Sequence, residues 1–261
     1  MDRPSEETRV HTRILRCTLE VDDSRSYWSH KAHANGSTTA RKAFEEYWFG
    51  GKSLSRAEVL IANLRARFDA FPAALEVLSG WEGMDPDTRR LVCHWHLQLS
   101  DPLYRSFTGS YLVARHDAGR PTVSHDLAVA WVGEQDTGRW NMATRIQFAS
   151  KLLSSAHAAG LIASTRDPRP LQYPRVAELP LTYLTYLLRE VRFDGTLLDN
   201  PYFASVGLRG AILEEKLRGL SALRYRRQGD LVEFDWRYGS LLEWASATVF
   251  GSGSPRAGGA E

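Results

Sequence analysis

Along the first 136 positions the apolar residues recur at helical spacing. In SLSRAEVLIANLRARF, residues 53–68, Leu60, Ile61, Leu64 and Phe68 share one face, as in a helix with one buried side. Ser55 with Glu58 three residues on is a capping-box pair, satisfying two backbone donors that a helix start leaves unbonded. TTARKAFEEYWFGG reads as a preceding helix stopped by Gly50 and Gly51, because glycine takes the left-handed geometry of a helix end without steric cost. Asp85-Pro86 and Asp101-Pro102 each set a capping carboxylate before a proline at the first helical position, where the missing N–H is harmless. Ser124 opens SHDLAVAWVG in the same way, and in the arm at the start of the chain RILRCTLEV admits a short strand.

Beyond Trp140 the pattern changes. NMATRIQFASKLLSSAHAAGLI puts Met142, Ile146, Ala149, Leu153 and Ala156 on one side and Thr144, Gln147, Lys151 and Ser154 on the other, with Gly160 as the stop. A proline-rich connector, STRDPRPLQYPR, carries Arg166, Arg169 and Arg175. A helix over about 180–192 buries Leu181, Leu184, Leu187, Leu188 and Val191 and gathers Thr182, Thr185, Tyr186, Arg189 and Arg192 on another flank. Hydroxyls and guanidinium groups together suit phosphate oxygens. A third helix, about 208–220, turns Leu208, Ile212, Leu213, Leu217 and Leu220 inward and shows Gly210, Glu214, Glu215 and Arg218 outward. It lacks the Arg, Asn or Gln set of a helix that reads base edges.

RYRRQGDLVEFDW, residues 224–236, is a hairpin if Gly229-Asp230 is its two-residue turn. That turn sets Leu223 opposite Trp236 and Tyr225 opposite Phe234 on one side, and Arg224 opposite Asp235 and Arg226 opposite Glu233 on the other. Charge opposition on the strands leaves Arg227 and Gln228 at the tip freest to touch a ligand. Two readings stand: a surface ribbon whose charges neutralise one another, or the wing of a nucleic-acid-binding module. Helix, short strand at GLIAS, two helices and a hairpin is the winged-helix order, although winged helices also serve as protein-docking modules. SLLEWA adds a last short helix, and GSGSPRAGGAE is too poor in apolar residues to order itself.

The expected fold is therefore mainly α. It has an N-terminal arm (1–26), a helical bundle (27–138), a winged-helix-like domain with a small β-hairpin (139–248) and a disordered tail (249–261).

The net charge of +2 excludes a uniformly basic surface, so any basic patch must be local. Residues 139–227 hold 14 Lys and Arg against 7 Asp and Glu, an excess of 7. The two cysteines, Cys17 and Cys93, are far apart, and the charged start of the chain has no apolar stretch of secretory length, which suits a reducing cytoplasm. The longest apolar passages, LPLTYLTYLL and LAVAWVG, fall short of the ~20 residues a bilayer demands, so no membrane partner is expected.

The sharpest enzymatic hint is LVCHWHLQL, with Cys93, His94 and His96. On a strand the two histidines could share a metal; on a helix they point about 200° apart and cannot. The helical neighbours favour the helix, with Leu91, Val92, Trp95 and Leu99 as its buried stripe, and no acid stands ready to orient a cysteine–histidine pair. YWFGGKSL lacks the first glycine and strand of a phosphate-cradling loop. No metal, cofactor or catalytic residue is expected.

ARKAFEEYWFGGKSLSRAEVLIANLRARFDAFPAALEVL, then TRIQFASKLLSSAHAAGLI, then the hairpin and SLLEWA, form a layout that resembles the small A component of BREX phage-defence systems over roughly residues 26–247. The resemblance implies a helical half like transcription-antitermination bundles, a winged-helix half, duplex DNA binding, and a non-enzymatic role beside a methyltransferase and other defence proteins. The expected phosphate contacts are Arg166, Arg169, Arg175, Thr182, Thr185, Arg189, Arg192, Arg227 and Gln228, with Arg56 and Arg67 as a weaker patch. The competing readings are a protein-interaction scaffold whose winged helix docks a partner subunit, and a metal enzyme centred on His94 and His96.

Overall fold

Side-chain caps set most of the helix starts in the computed structural model, which describes residues 3–33, 39–135 and 138–250. RILRCTLEV forms a 3-10 turn at Arg13–Leu15 and an irregular run into α1 (Val21–His33), not a strand. The carbonyls of Thr18 and Leu19, which a strand partner would have taken, each accept from Arg67 at 2.8 Å, and Ile14, Cys17 and Leu19 sink into the core. α2 (Ala40–Glu45) is capped by Thr39. α3 (Leu54–Phe68) is capped by Ser53, not Ser55: Lys52, bonded to Asp23 and to the Phe49 carbonyl, fixes the chain just before it, so Leu54 takes the first helical position. α4 (Pro72–Gly80) follows, then α5 (Pro86–Ser100) and α6 (Pro102–Ser106), capped by Asp85 and Asp101 as expected.

α6 runs through a π-helical turn (Phe107–Tyr111) into α7 (Leu112–Asp117). A Cβ on Gly109 would lie 2.4 Å from Pro201 Cβ, so only glycine allows this approach. After β1 (Thr122–Val123), Ser124 caps α8 (His125–Gln135).

α9 (Met142–Ala158), capped by Asn141 and ended at Gly160 with φ +80°, packs along α8. Its buried side is Phe148, Ala149, Leu152, Leu153 and Ala156; Met142 and Ile146 are 60% and 42% exposed, so the expected stripe fails over the first two turns. β2 (Arg169–Pro170) pairs with β1, and the strand expected at GLIAS shrinks to a single bridge of Ile162 with Leu171. Then come α10 (Glu178–Glu190), α11 (Pro201–Ala204), α12 (Gly210–Arg218), β3 (Leu223–Gln228), β4 (Leu231–Trp236) and α13 (Leu241–Thr248). Ile212, expected inward on α12, is 58% exposed, because Leu213 and Leu217 supply the buried contact.

The hairpin has the expected register at every pair, with Gly229 at φ +60° in the turn. Among the described residues its sheet has two strands only, since β2 is engaged by β1.

One apolar cluster runs through both halves of the chain. α10 lies against α5, and α13 against α4 and α10; a boundary at 138/139 falls between α8 and α9, which pack on each other. Val249 is buried and Phe250 rests on Gly80, so the first two residues of the expected tail are placed; residues 251–261 lie outside the described set. The arm is clipped to the loop after α10: Arg192 N donates to Pro4 O (2.8 Å) and Glu6 N to Arg192 O (2.9 Å). The Glu6 carboxylate accepts from Asp194 N (3.0 Å) and from the Tyr202 hydroxyl.

Candidate functional site

The flank of α10 that promised phosphate contacts is a core seam. Thr182, Thr185 and Tyr186 are 2%, 1% and 0% exposed, because α5 covers one side of the helix while α13 and the hairpin cover the other. With no water to bond, the hydroxyls turn to the backbone: Thr185 Oγ1 donates to Leu181 O (2.7 Å), and Tyr186 OH donates to Ala222 O (2.7 Å) and accepts from Tyr238 N (3.2 Å). Neither threonine can meet a phosphate in this fold. Arg189 is half-buried, its guanidinium 4.6 Å from the Trp236 ring centre and bonded to Tyr238 O (3.0 Å); it ties the end of the hairpin to the helix. Arg192 is exposed beside the clipped arm, away from that seam.

The weaker patch is also structural. Arg67 is 3% exposed and spends its guanidinium on the Thr18 and Leu19 carbonyls. Arg56 bonds Arg16 O and Glu20 Oε1, both at 2.7 Å, and fastens the same segment. In the connector Arg169 bonds Asp167 (2.6 Å), whose carboxyl is held below the usual range by the His125 N–H and by Arg169. The side chains of Arg166 and Arg175 are exposed and unpaired.

The hairpin carries the clearest open surface. Its inner face is aromatic: Tyr225 meets Phe234, Phe234 stacks on Trp236, and Trp236 stands edge-on to Tyr186 at 4.9 Å. Its outer face shows Arg224, Arg226 and Gln228 on β3 and Leu231, Glu233 and Asp235 on β4, all exposed. Arg224 and Arg226 face Asp235 and Glu233 in register yet form no ion pair with them, so the expected neutralisation is not made. Arg227, expected free at the tip, is instead bound. The period of two puts it on the inner side with Tyr225, where Nη1 meets Glu214 Oε1 at 2.5 Å and Nε donates to Gly229 O. Parity in the sequence could have shown this. Glu214 also takes Arg218 (2.9 Å), so the acidic outer side of α12 is in part the hairpin's own anchor.

The two histidines of α5 are both fully buried and bond in different directions. Ser205 Oγ donates to Tyr202 O and so accepts from His94 Nε2–H (2.9 Å), which leaves His94 Nδ1 to accept from Tyr104 OH (2.9 Å). His96 Nε2 meets Tyr183 OH at 2.6 Å. Burial lowers both imidazoles to about 3 and pushes the Cys93 thiol up to about 12, so all three are uncharged at neutral pH. Among the described residues no three His, Cys, Asp or Glu side chains gather to hold a metal, and no helix is long and apolar enough to cross a membrane. A polar cleft of about 550 Å³ beside the π-helical turn contains Arg105 and Arg209, but both are engaged: Arg105 by the Gln98 and Glu7 carbonyls, Arg209 by both oxygens of Asp117.

No protein-family model matches this chain, and no curated protein does. Among solved structures it is similar to the crystal structure of an uncharacterized protein from Magnetospirillum magneticum. The TM-score is 0.55 at 15% identity, over 70% of this chain and 98% of that one. At that identity the likeness shows a shared fold.

Proposed function

We propose that the protein is a non-enzymatic accessory protein of a BREX-like prokaryotic defence system, binding duplex DNA mainly through its phosphates. One observation carries this reading: Arg224 and Arg226 stand exposed and unpaired on the outer face of a hairpin whose inner face is locked to the core. With the hairpin backbone already held by its packed inner face, meeting a phosphate orders the arginine side chains and not the strand beneath them. The contact set is revised accordingly to Arg224, Arg226 and Gln228 on the hairpin, with Arg166 and Arg175 from the connector. The local excess of positive charge and the resemblance of the element order support it.

Fluorescence anisotropy with a labelled duplex tests it. Four arginine contacts give a log–log salt slope of about −3.6, so affinity falls about 150-fold between 50 and 200 mM salt, and R224E/R226E removes binding at the higher salt. Salt-independent affinity overturns the proposal. A docking role for the hairpin is favoured by Leu231, 70% exposed at its tip. In that case L231D, and not R224E/R226E, abolishes capture of a partner subunit of the same system.

A further inference from the structure

We infer that the notch between α5 and the Gly160 turn is a phosphate-binding subsite whose cationic walls are Arg90 and Arg175. As a duplex contact it rests on the reading above; as an anion site it stands by itself. The notch, about 160 Å³, is lined by Asp87, Arg90, Gly160, Gln172 and Arg175, with Leu91 and Pro174 as its apolar part. Arg90 extends along Gly160, where an added Cβ would sit 3.6 Å from its Cδ and Nη1. The glycine, at φ +80°, thus ends α9 and gives the guanidinium a smooth wall. Arg175, on the connector, is exposed and unpaired. Gln172 Nε2 donates one N–H to Gly160 O (3.1 Å), which leaves its second N–H for another acceptor.

Two guanidinium groups and an amide N–H around one concavity match the acceptor-only oxygens of a phosphate. Asp87 is the local competitor, with Oδ1 3.4 Å from Arg90 Nη1. Its side chain is 77% exposed, and such i,i+3 surface pairs are weak enough to yield to a phosphate. The site is composite: Arg90 comes from the helical half, outside the basic stretch 139–227, and Arg175 from the connector within it.

The test uses the full chain and two probes, inorganic phosphate and a labelled duplex. On phosphate titration the Gly160 amide and Gln172 side-chain NMR signals shift and saturate. R90Q/R175Q abolishes the shifts, D87N moves the midpoint severalfold lower, and R224Q/R226Q leaves it in place. With duplex, R90Q/R175Q makes the salt slope shallower by about 0.9 for each phosphate that is no longer neutralised. Shifts that are absent, that survive R90Q/R175Q, or that weaken in D87N overturn the site. If phosphate shifts follow the variants while no duplex binds, the subsite stands and the DNA reading falls. If duplex binds with an unchanged slope in R90Q/R175Q and no phosphate shifts occur, the subsite falls and the DNA reading stands.

Discussion

Helix α10 and the β3–β4 hairpin carry similar side chains, hydroxyls or arginines alternating with large apolar groups, and the fold treats them in opposite ways. The helix is enclosed on both sides, so Thr182, Thr185 and Tyr186 are buried with its leucines. The hairpin is covered on one side only, so Arg224 and Arg226 stay in water above an aromatic inner layer. An amphipathic pattern shows which side of an element must be buried, but it does not show that the other side is free. A threonine flank can close on its own helix carbonyls and survive burial; a guanidinium, with five donors and a charge, survives it only where other segments bring acceptors, as Thr18 and Leu19 do for Arg67.

The comparison can be broken most sharply at Thr185. Thr185→Arg puts a charge into the seam and should cost about 4 kcal/mol or more in urea denaturation; a loss under about 1 kcal/mol would mean that the flank opens to solvent.

Acid should strain the packing around α5 through His94, bonded to Tyr104 and Ser205, and His96, which meets Tyr183 on α10. Their folded values of about 3 lie below the ordinary 6.5, so the unfolded chain takes up protons that the folded one refuses. The stability they protect is complete above pH 6.5 and is lost as the pH falls toward 3, about 2 kcal/mol from each at pH 5. Urea midpoints at pH 8 and pH 5 measure this, and His96→Gln should flatten the dependence.

Smaller still, Tyr186→Phe leaves the Ala222 carbonyl and the Tyr238 N–H without their partner and should cost about 1–2 kcal/mol. R224Q/R226Q should change stability by no more than about 0.5 kcal/mol while weakening duplex binding. A large destabilisation there would mean that the outer face is itself packed.

Local chemistry was the legible part. The hairpin register follows from a two-residue turn and a period of two, and the Asp-Pro caps of α5 and α6 follow from side chains meeting their own backbone. The inward leucines of α10 follow from a period of 3.6. What escaped depends on distant partners. Arg67 looks like a surface residue until the carbonyls of Thr18 and Leu19 arrive from the arm, 49 and 48 positions away. Met142 and Ile146 continue an apolar stripe that, among the described residues, is left largely uncovered. Of the candidate contacts, Arg166, Arg175 and Gln228 remain open, whereas Thr182, Thr185 and Arg67 are shut inside, and Arg56, Arg169, Arg189 and Arg227 are tied to neighbours.

The clip made by Glu6 has a consequence for biosynthesis. Its carboxylate waits for Asp194 and Tyr202, which follow it by 188 and 196 positions. During translation Glu7 can meet Leu99 and Arg105 early, whereas the Pro4 and Glu6 contacts must wait until residue 202 has left the ribosome, a delay that long loop closures impose. A nascent chain stalled before residue 190 should be open to protease around residues 4–6, and one carrying all 261 residues should not.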